Sequence, residues 1–251
     1  ERLEKLFNVQ RRFVADVSHE MRTPLTTILG NIDLMRRIGP DEQAMAAIAS
    51  EARRMSRLVE DLLLLAKADA GRLPLEQTRV ELDTLLLDVF RQGQMLSRDV
   101  AVELGQVEPA RVMGDIDRLK QLLLNLVSNG IKYTPPGGRV TLGLRCDGTH
   151  ALLTVSDTGI GIPPEDLPHV FDRFYRVDKA RSRAQGGTGL GLSIAQWIAE
   201  AHGGDITVTS AVDAGTVFTV RLPLAPDSEH RAAPSRPTLP HPRAIRLPRP
   251  R

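Results

Sequence analysis

The sequence predicts an α-helical hairpin followed by an α/β sandwich, and three observations carry that prediction. Residues 3–37 place apolar side chains at Leu3, Leu6, Phe13, Val17, Met21, Ile28, Ile32 and Met35, spaced by three, four or seven. That spacing makes one narrow stripe on a long amphipathic helix, the pattern of a helix that packs against helices. A second stripe follows in Ile48, Met55, Leu58, Leu62 and Leu65. From about Val80 the pattern changes to short strand-like runs interleaved with helices, which suits a sheet covered by helices on one face.

The elements follow in order. Gly39-Pro40-Asp41 separates the first two helices, since neither Gly nor Pro continues a helix well. Arg53, Arg54 and Arg57 are among the polar positions of the second helix. A two-helix hairpin cannot bury both of its faces alone, so dimerisation into a four-helix bundle is its natural completion. The stretch "ADAGRLPLEQTR", 68–79, carries Gly71 and Pro74 and reads as a linker. Further helices are predicted over 82–97, 115–132 and 189–202. Strands are predicted over 110–113, 139–146, 151–156, 205–209 and 216–222, where β-branched and apolar residues are bounded by turn formers. The expected division is therefore a hairpin over 1–68, a linker over 69–79, an α/β domain over 80–225 and a tail over 226–251.

Composition narrows the functional classes. The single cysteine, Cys146, excludes an internal disulfide framework and fits a reducing compartment. No apolar run approaches the roughly 18 residues that cross a bilayer. The chain begins at Glu1 rather than Met, and a longer parent protein is expected. The formal charge of +2 hides an asymmetry. The tail "PDSEHRAAPSRPTLPHPRAIRLPRPR" holds six arginines against Asp227 and Glu229, together with seven of the 17 prolines. Removing it from the 33 basic and 31 acidic residues leaves 27 and 29 in residues 1–225, a slightly acidic body. That balance speaks against nucleic-acid binding, and the tail is expected to be a disordered extension.

Within "DVSHEMRTPL", 16–25, His19 lies two positions from the stripe residues Val17 and Met21. At about 100° per residue it points away from the helix–helix seam. Glu20 can accept a proton or orient an imidazole nitrogen. Thr23, four residues after His19, shares its face and offers a hydroxyl that can position water. Pro24 lacks an N–H and cannot bond the Glu20 carbonyl, so a bend is expected one turn after His19. Taken alone, the stretch fits a reactive histidine and an incidental surface histidine.

Downstream, "DRLKQLLLNLVSNGIKYTPPGG", 117–138, stacks Asn125 and Asn129 on one helix face. Two carboxamides suit Mg²⁺ shared with phosphates, because hard cations prefer oxygen ligands; caps or surface positions give the same pair. Lys132 can meet phosphate charge and Tyr133 offers a ring near a base. "VSDTGIGIP", 155–163, ends a strand in Asp157, a carboxylate able to accept from an amino group such as that of adenine. Gly159 and Gly161 let backbone approach a flat ring, although a tight turn yields the same string. "GGTGLGLSIAQWIAEAHGG", 186–204, runs Gly187, Thr188, Gly189, Leu190 and Gly191 into a helix whose free N–H groups favour phosphate. It lacks the Gly-Lys-Ser/Thr of a P-loop. Between these strings, "FDRFYRVDKARSRAQ", 171–185, has the length and charge of a mobile lid. Arg173, Lys179, Arg181 and Arg183 read as solvated charges there, and Arg176 as the one meeting the nucleotide or the acceptor helix.

"FVADVSHEMRTPLTTI" resembles the phosphoacceptor box of sensor histidine kinases of two-component systems, with the His-Glu-x-x-Thr pattern intact. The later strings resemble, in order, the N, G1, F and G2 boxes of that family's ATP-binding domain, which heat-shock chaperones, type II topoisomerases and mismatch-repair ATPases share. The resemblance covers roughly residues 5–225. It implies a dimeric four-helix bundle and an α/β sandwich of the Bergerat (GHKL) type. It also implies that His19 takes the γ-phosphoryl of ATP, that Glu20 orients it and that Thr23 assists dephosphorylation of the partner. Asn125, Asn129, Lys132, Tyr133, Asp157, the glycines and Thr216 would hold ATP, with Mg²⁺ on Asn125 and Asn129. At "SAVDAGTVFTV", 210–220, the family often has Gly-x-Gly-Thr; here only Gly215 and Thr216 remain and Asp213 stands at the first glycine.

The function so implied is autophosphorylation of His19 followed by transfer to an aspartate of a response regulator, with phosphatase activity toward that regulator. Other readings are a chaperone- or topoisomerase-like conformational ATPase, which has no need of "SHEMRTPL", and a phosphatase-dominant or non-catalytic dimeric scaffold. A membrane- or nucleic-acid-binding module using the tail is the third, and the acidic body opposes it.

Overall fold

A computed structural model describes residues 2–71, 73–177 and 187–226, with side chains from Val14 onward. The tail beyond Pro226 and the lid positions Lys179, Arg181 and Arg183 lie outside the described residues.

Helix α1 spans Arg2–Ile38 and continues unbroken through Pro24. The Pro24 ring is buried, and a run of hydroxyls bonds back one turn, including Ser18 Oγ to Val14 O at 2.8 Å and Thr26 Oγ1 to Arg22 O at 2.9 Å. The chain then reverses sharply. Gly39 takes a φ of +93° and donates to Met35 O, while the Asp41 carboxylate caps α2, Glu42–Asp69, by accepting from Ala44 N at 2.7 Å. Gly39 and Asp41 thus do what their types permit at helix ends.

Strand β1, Thr78–Glu81, pairs antiparallel with β3, Arg111–Gly114, in a small two-stranded sheet. Between them lie α3, Leu82–Leu96, and β2, Ala101–Val107. Helix α4 spans Ile116–Tyr133, followed by β4, Arg139–Cys146, and β5, His150–Asp157. Helix α5, Gly191–Ala201, precedes β6, Asp205–Ala211, and β7, Gly215–Pro223. The main sheet has the order β2-β4-β5-β7-β6, with β2 parallel to β4 and the other pairs antiparallel.

Strict alternation along the central strands explains the second layer. Ala151, Leu153 and Val155 of β5, with Val140, Leu142 and Leu144 of β4, point to one buried face. Leu119, Leu122, Leu123, Leu126 and Val127 of α4 cover it, joined by Ile194, Ala195 and Ile198 of α5. Helix α4 packs between α3 and α5. The same apolar cluster takes in Leu58, Leu64 and Leu65 of α2, so the hairpin rests against the sandwich on the α5 side.

Asp115 ties three of these elements together. Its Oδ1 caps α4 by accepting from Asp117 N and Arg118 N, both at 3.1 Å, and its Oδ2 accepts from Glu76 N at 3.3 Å. Its own N–H donates to His202 Nε2 at 3.0 Å, just beyond α5.

Two strands have no counterpart among the predicted runs. β2 lies at an edge, contains Gly105 and a register shift between Leu104 and Val107, and buries Val102 alone. β1 has four residues and is defined by its pairing with β3 rather than by its own pattern.

Candidate active site

His19 is exposed on α1, and Thr23 is exposed one turn later with its hydroxyl 3.4 Å from the His19 carbonyl. Glu20 points elsewhere, because neighbours in sequence on a helix do not face each other. Its Oε2 meets Arg176 Nη2 at 2.7 Å and Arg54 Nη2 at 3.4 Å. Arg176 comes from the segment after β5 and also donates to the Gly187 carbonyl. A second bridge, bidentate at 2.7 Å on both arms, joins Arg173 to Asp69 at the end of α2. The Arg173 guanidinium holds the Asp69 carboxyl below the usual carboxylate range. Glu20 and Asp69 therefore hold the α/β domain against the hairpin at two points.

The predicted nucleotide residues converge along one side of α4. Asn125 Nδ2 donates to the Gly191 carbonyl at 3.0 Å, which ties α4 to the head of α5. Asn129 follows one turn on, partly exposed. The Lys132 ammonium lies 4.9 Å from the Tyr133 ring centroid, within cation–π reach. The Tyr133 carbonyl accepts from Ile160 N, fixing the glycine turn to the end of α4.

Asp157 ends β5 at 8% exposure. Its Oδ1 accepts from Gly159 N at 2.8 Å and from Thr216 N at 3.2 Å, leaving Oδ2 for another donor. Burial pushes its carboxyl up, against the two backbone N–H bonds that pull it down. The turn beyond it admits no side chain: Gly161 sits at φ +68°, and a Cβ there would fall 1.9 Å from the Ala211 carbonyl. Thr216 Oγ1 is 2.9 Å from Ser210 Oγ, which accepts from Ile162 N and thereby ties β6 to the same turn. At the head of α5, Thr188 Oγ1 accepts from Leu190 N, and Leu190 is fully buried. The first turn of α5 thus opens beside Asn125.

Asp213, where the family has glycine, adopts a φ of +60°. That is a left-handed conformation, which Asp tolerates better than most side chains.

Two family models match the chain: "His Kinase A (phospho-acceptor) domain" over residues 9–71 and "Histidine kinase-, DNA gyrase B-, and HSP90-like ATPase" over 114–226. The probable sensor histidine kinase TcrY of Mycobacterium tuberculosis is 46% identical over 220 residues, covering 85% of this chain and 46% of TcrY. The solved mycobacterial sensor histidine kinase MprB is 33% identical, with a TM-score of 0.53, covering 60% of this chain and 99% of that one.

The chain belongs to the sensor histidine kinases.

A longer superposition is with histidine kinase ThkA, solved in complex with response regulator protein TrrA, at 28% identity and a TM-score of 0.68. It covers 91% of this chain and 65% of ThkA. The chain spans about half or less of the curated sensor histidine kinases it matches. No helix among the described residues is long and apolar enough to cross a membrane.

Sequence patterns did not single out Arg54, Asp69 or Ser210 as site residues. For Arg54 a signal exists: it precedes Leu58 by four residues and so shares the inward face, unlike the exposed Arg53 and Arg57. Ser210 is visible only through strand register, opposite Thr216 across β6 and β7.

Proposed function

We propose that this chain is the cytoplasmic catalytic portion of a two-component sensor histidine kinase whose parent is anchored in the membrane. In this reading residues 1–68 carry the acceptor hairpin, 69–79 link it to the ATP-binding domain over 80–225, and 226–251 form a tail. The observation that carries the reading is the contact of Arg176 with Glu20. The nucleotide domain meets the hairpin beside the candidate acceptor rather than at a remote face.

ATP is the substrate. Asp157 would accept from the adenine amino group, and Gly159 and Gly161 would let the base lie on backbone. Lys132, Tyr133, Arg176 and the stretch Gly187, Thr188, Gly189, Leu190, Gly191 would surround the rest of the nucleotide, with Thr216 holding Asp157 from behind. Asn125 and Asn129 fit Mg²⁺ as neutral oxygen donors, the Asn125 amide nitrogen being held by the Gly191 carbonyl. A bound Mg²⁺ would supply charge neutralisation to the triphosphate.

The reaction is phosphoryl transfer, in which positioning outweighs covalent chemistry. A ring nitrogen of His19 donates its lone pair to the γ-phosphorus. The bond from that phosphorus to the β–γ bridging oxygen breaks, and ADP leaves with the electron pair. Released from Arg176, the Glu20 carboxylate would turn toward His19 to orient the imidazole and stabilise its positive charge. The phosphoryl group then passes to an aspartate carboxylate of a response regulator, and Thr23 positions water for the reverse, hydrolytic activity. A conformational ATPase without phosphoacceptor is disfavoured by the exposed His19 and its intact neighbours.

A homodimer completes the hairpin. Val14, Leu25 and Leu29 of α1 and Met45, Val59 and Leu63 of α2 remain exposed. At about 100° per residue, the α1 trio lies on the flank away from Glu20, where a second copy can pack without displacing the ATP domain.

The test is incubation with γ-labelled ATP and Mg²⁺. Acid-labile, alkali-stable label on wild type and none on His19→Gln is the expected result. Equal label on the variant overturns the reading.

A further inference from the structure

We infer that Arg54 is a positioning residue for the phosphoacceptor centre, holding the Glu20 carboxylate on the hairpin while Arg176 comes and goes with the ATP domain. The inference rests on the kinase reading of His19 and Glu20 and concerns what keeps Glu20 in place.

Three features support it. Both guanidinium groups converge on one oxygen, Glu20 Oε2, at 2.7 Å from Arg176 and 3.4 Å from Arg54. They belong to different bodies, however. Arg54 sits on α2, packed along α1 in the same hairpin, and Arg176 lies on the far side of the 69–79 stretch. When the domain swings to present ATP, Arg176 must move with it, and Arg54 stays.

Arg54 is also anchored. Its Nη1 meets Glu51 Oε2 at 3.5 Å, one turn earlier on α2. Its side chain is 11% exposed, against 20% for Glu20 and 6% for Arg176. Arginine's fork of donors allows it to hold two carboxylates at once.

Charge completes the picture. Docked, the cluster pairs Glu20 and Glu51 with Arg54 and Arg176 and is neutral. With Arg176 withdrawn it carries one net negative charge, shared on Glu20 and Glu51 around Arg54. That leaves the Glu20 carboxylate tethered to α2 through Arg54, one residue from His19. Without Arg54, withdrawal of Arg176 would release Glu20 into solvent as an untethered side chain.

The test measures ATP-dependent labelling of the full chain with Arg54→Lys and Arg54→Met, each across a range of ATP concentrations. Arg54→Met is expected to lower the maximal labelling rate about tenfold, the scale of one charge-assisted hydrogen bond, with KM for ATP unchanged. Arg54→Lys, which keeps the cation, is expected to stay within about threefold of wild type on the same grounds. In a Glu20→Gln background, Arg54→Met should change the rate less than twofold, because the residue acts through Glu20. An equal tenfold loss in both backgrounds, a raised KM for ATP, or equal rates for the Lys and Met variants overturns the inference. If Glu20→Gln already lies at the labelling floor, the Lys and Met comparison decides. Absence of label on wild type is a different failure, that of the kinase reading itself.

Discussion

The Phe174 N–H donates to the Gly189 carbonyl at 2.9 Å, and both residues are left-handed, at φ +62° and +74°. They pin together the two ends of the stretch that contains residues 178–186. A left-handed aromatic residue is a backbone outlier, and such strain gathers at sites the surrounding fold over-determines.

Gly189→Ala tests this pin. A Cβ at Gly189 would fall 2.8 Å from Phe174 Cα, a backbone atom with little room to yield. The left-handed penalty alone is roughly 1–2 kcal/mol. A lower urea midpoint and weaker ATP binding by calorimetry are the expected outcomes.

Asn129→Ala removes one of two stacked carboxamides without touching the buried face of α4. Nucleotide affinity in the presence of Mg²⁺ should fall, while affinity measured with excess chelator stays near that of wild type. Gel-filtration mass should not change. An unaltered Mg²⁺ dependence would count against the metal assignment.

Asp69→Asn probes the second interdomain bridge. Its carboxyl is held down by the Arg173 hydrogen bonds, so the bridge is intact above the ordinary value of 3.8 and is lost as pH falls through the lowered one. Both side chains are substantially exposed, and such pairs contribute roughly 0–1 kcal/mol. The melting temperature should hardly move, but hydrogen exchange near Arg173 should accelerate at pH 7.

Asp61 on α2 behaves oppositely. Burial, with help from Glu60, raises its carboxyl from 3.8 to about 6. The folded state then holds the proton longer than the unfolded state, so this group makes stability fall between about pH 4 and 6 and stay low above. Asp61→Asn should raise the melting temperature at pH 7.5 and leave it unchanged at pH 4.

His202 is a structural histidine. Its Nε2 accepts from Asp115 N–H at 3.0 Å, and its Nδ1 faces the Ile198 carbonyl at 2.7 Å, which fixes the neutral tautomer. Gly114 makes room for it, since a Cβ there would lie 2.4 Å from its ring. His202→Ala removes a buried side chain and leaves the part-buried Asp115 N–H unpaired, and should cost about 1–3 kcal/mol in denaturant unfolding, with KM for ATP unchanged.

Much of this architecture was legible in local pattern. The hairpin followed from two stripes and "GPD", and β4 and β5 from alternation bounded by turns. Asn125, Asn129 and Asp157 stood out only as candidates by residue type and spacing, since caps and tight turns give the same strings. What stayed hidden depends on partners distant in sequence. β1 exists because β3 pairs with it, and β2 because β4 lies beside it. Glu20 read as a partner of its neighbour His19, yet its oxygen is taken by Arg54 and Arg176, 34 and 156 residues away. Asp213 looked like a departure from glycine, and it takes up a left-handed backbone of the kind glycine adopts readily.

The stretch from Ala70 to Gln77, between the end of α2 and the start of β1, sets a leash. At full extension, it spans at most about 30 Å. A tether of that reach keeps its two ends at a millimolar-scale effective concentration. In the proposed kinase, His19 and the ATP-binding domain of the same chain would therefore meet at a frequency set by the polypeptide itself, which dilution of the protein leaves untouched.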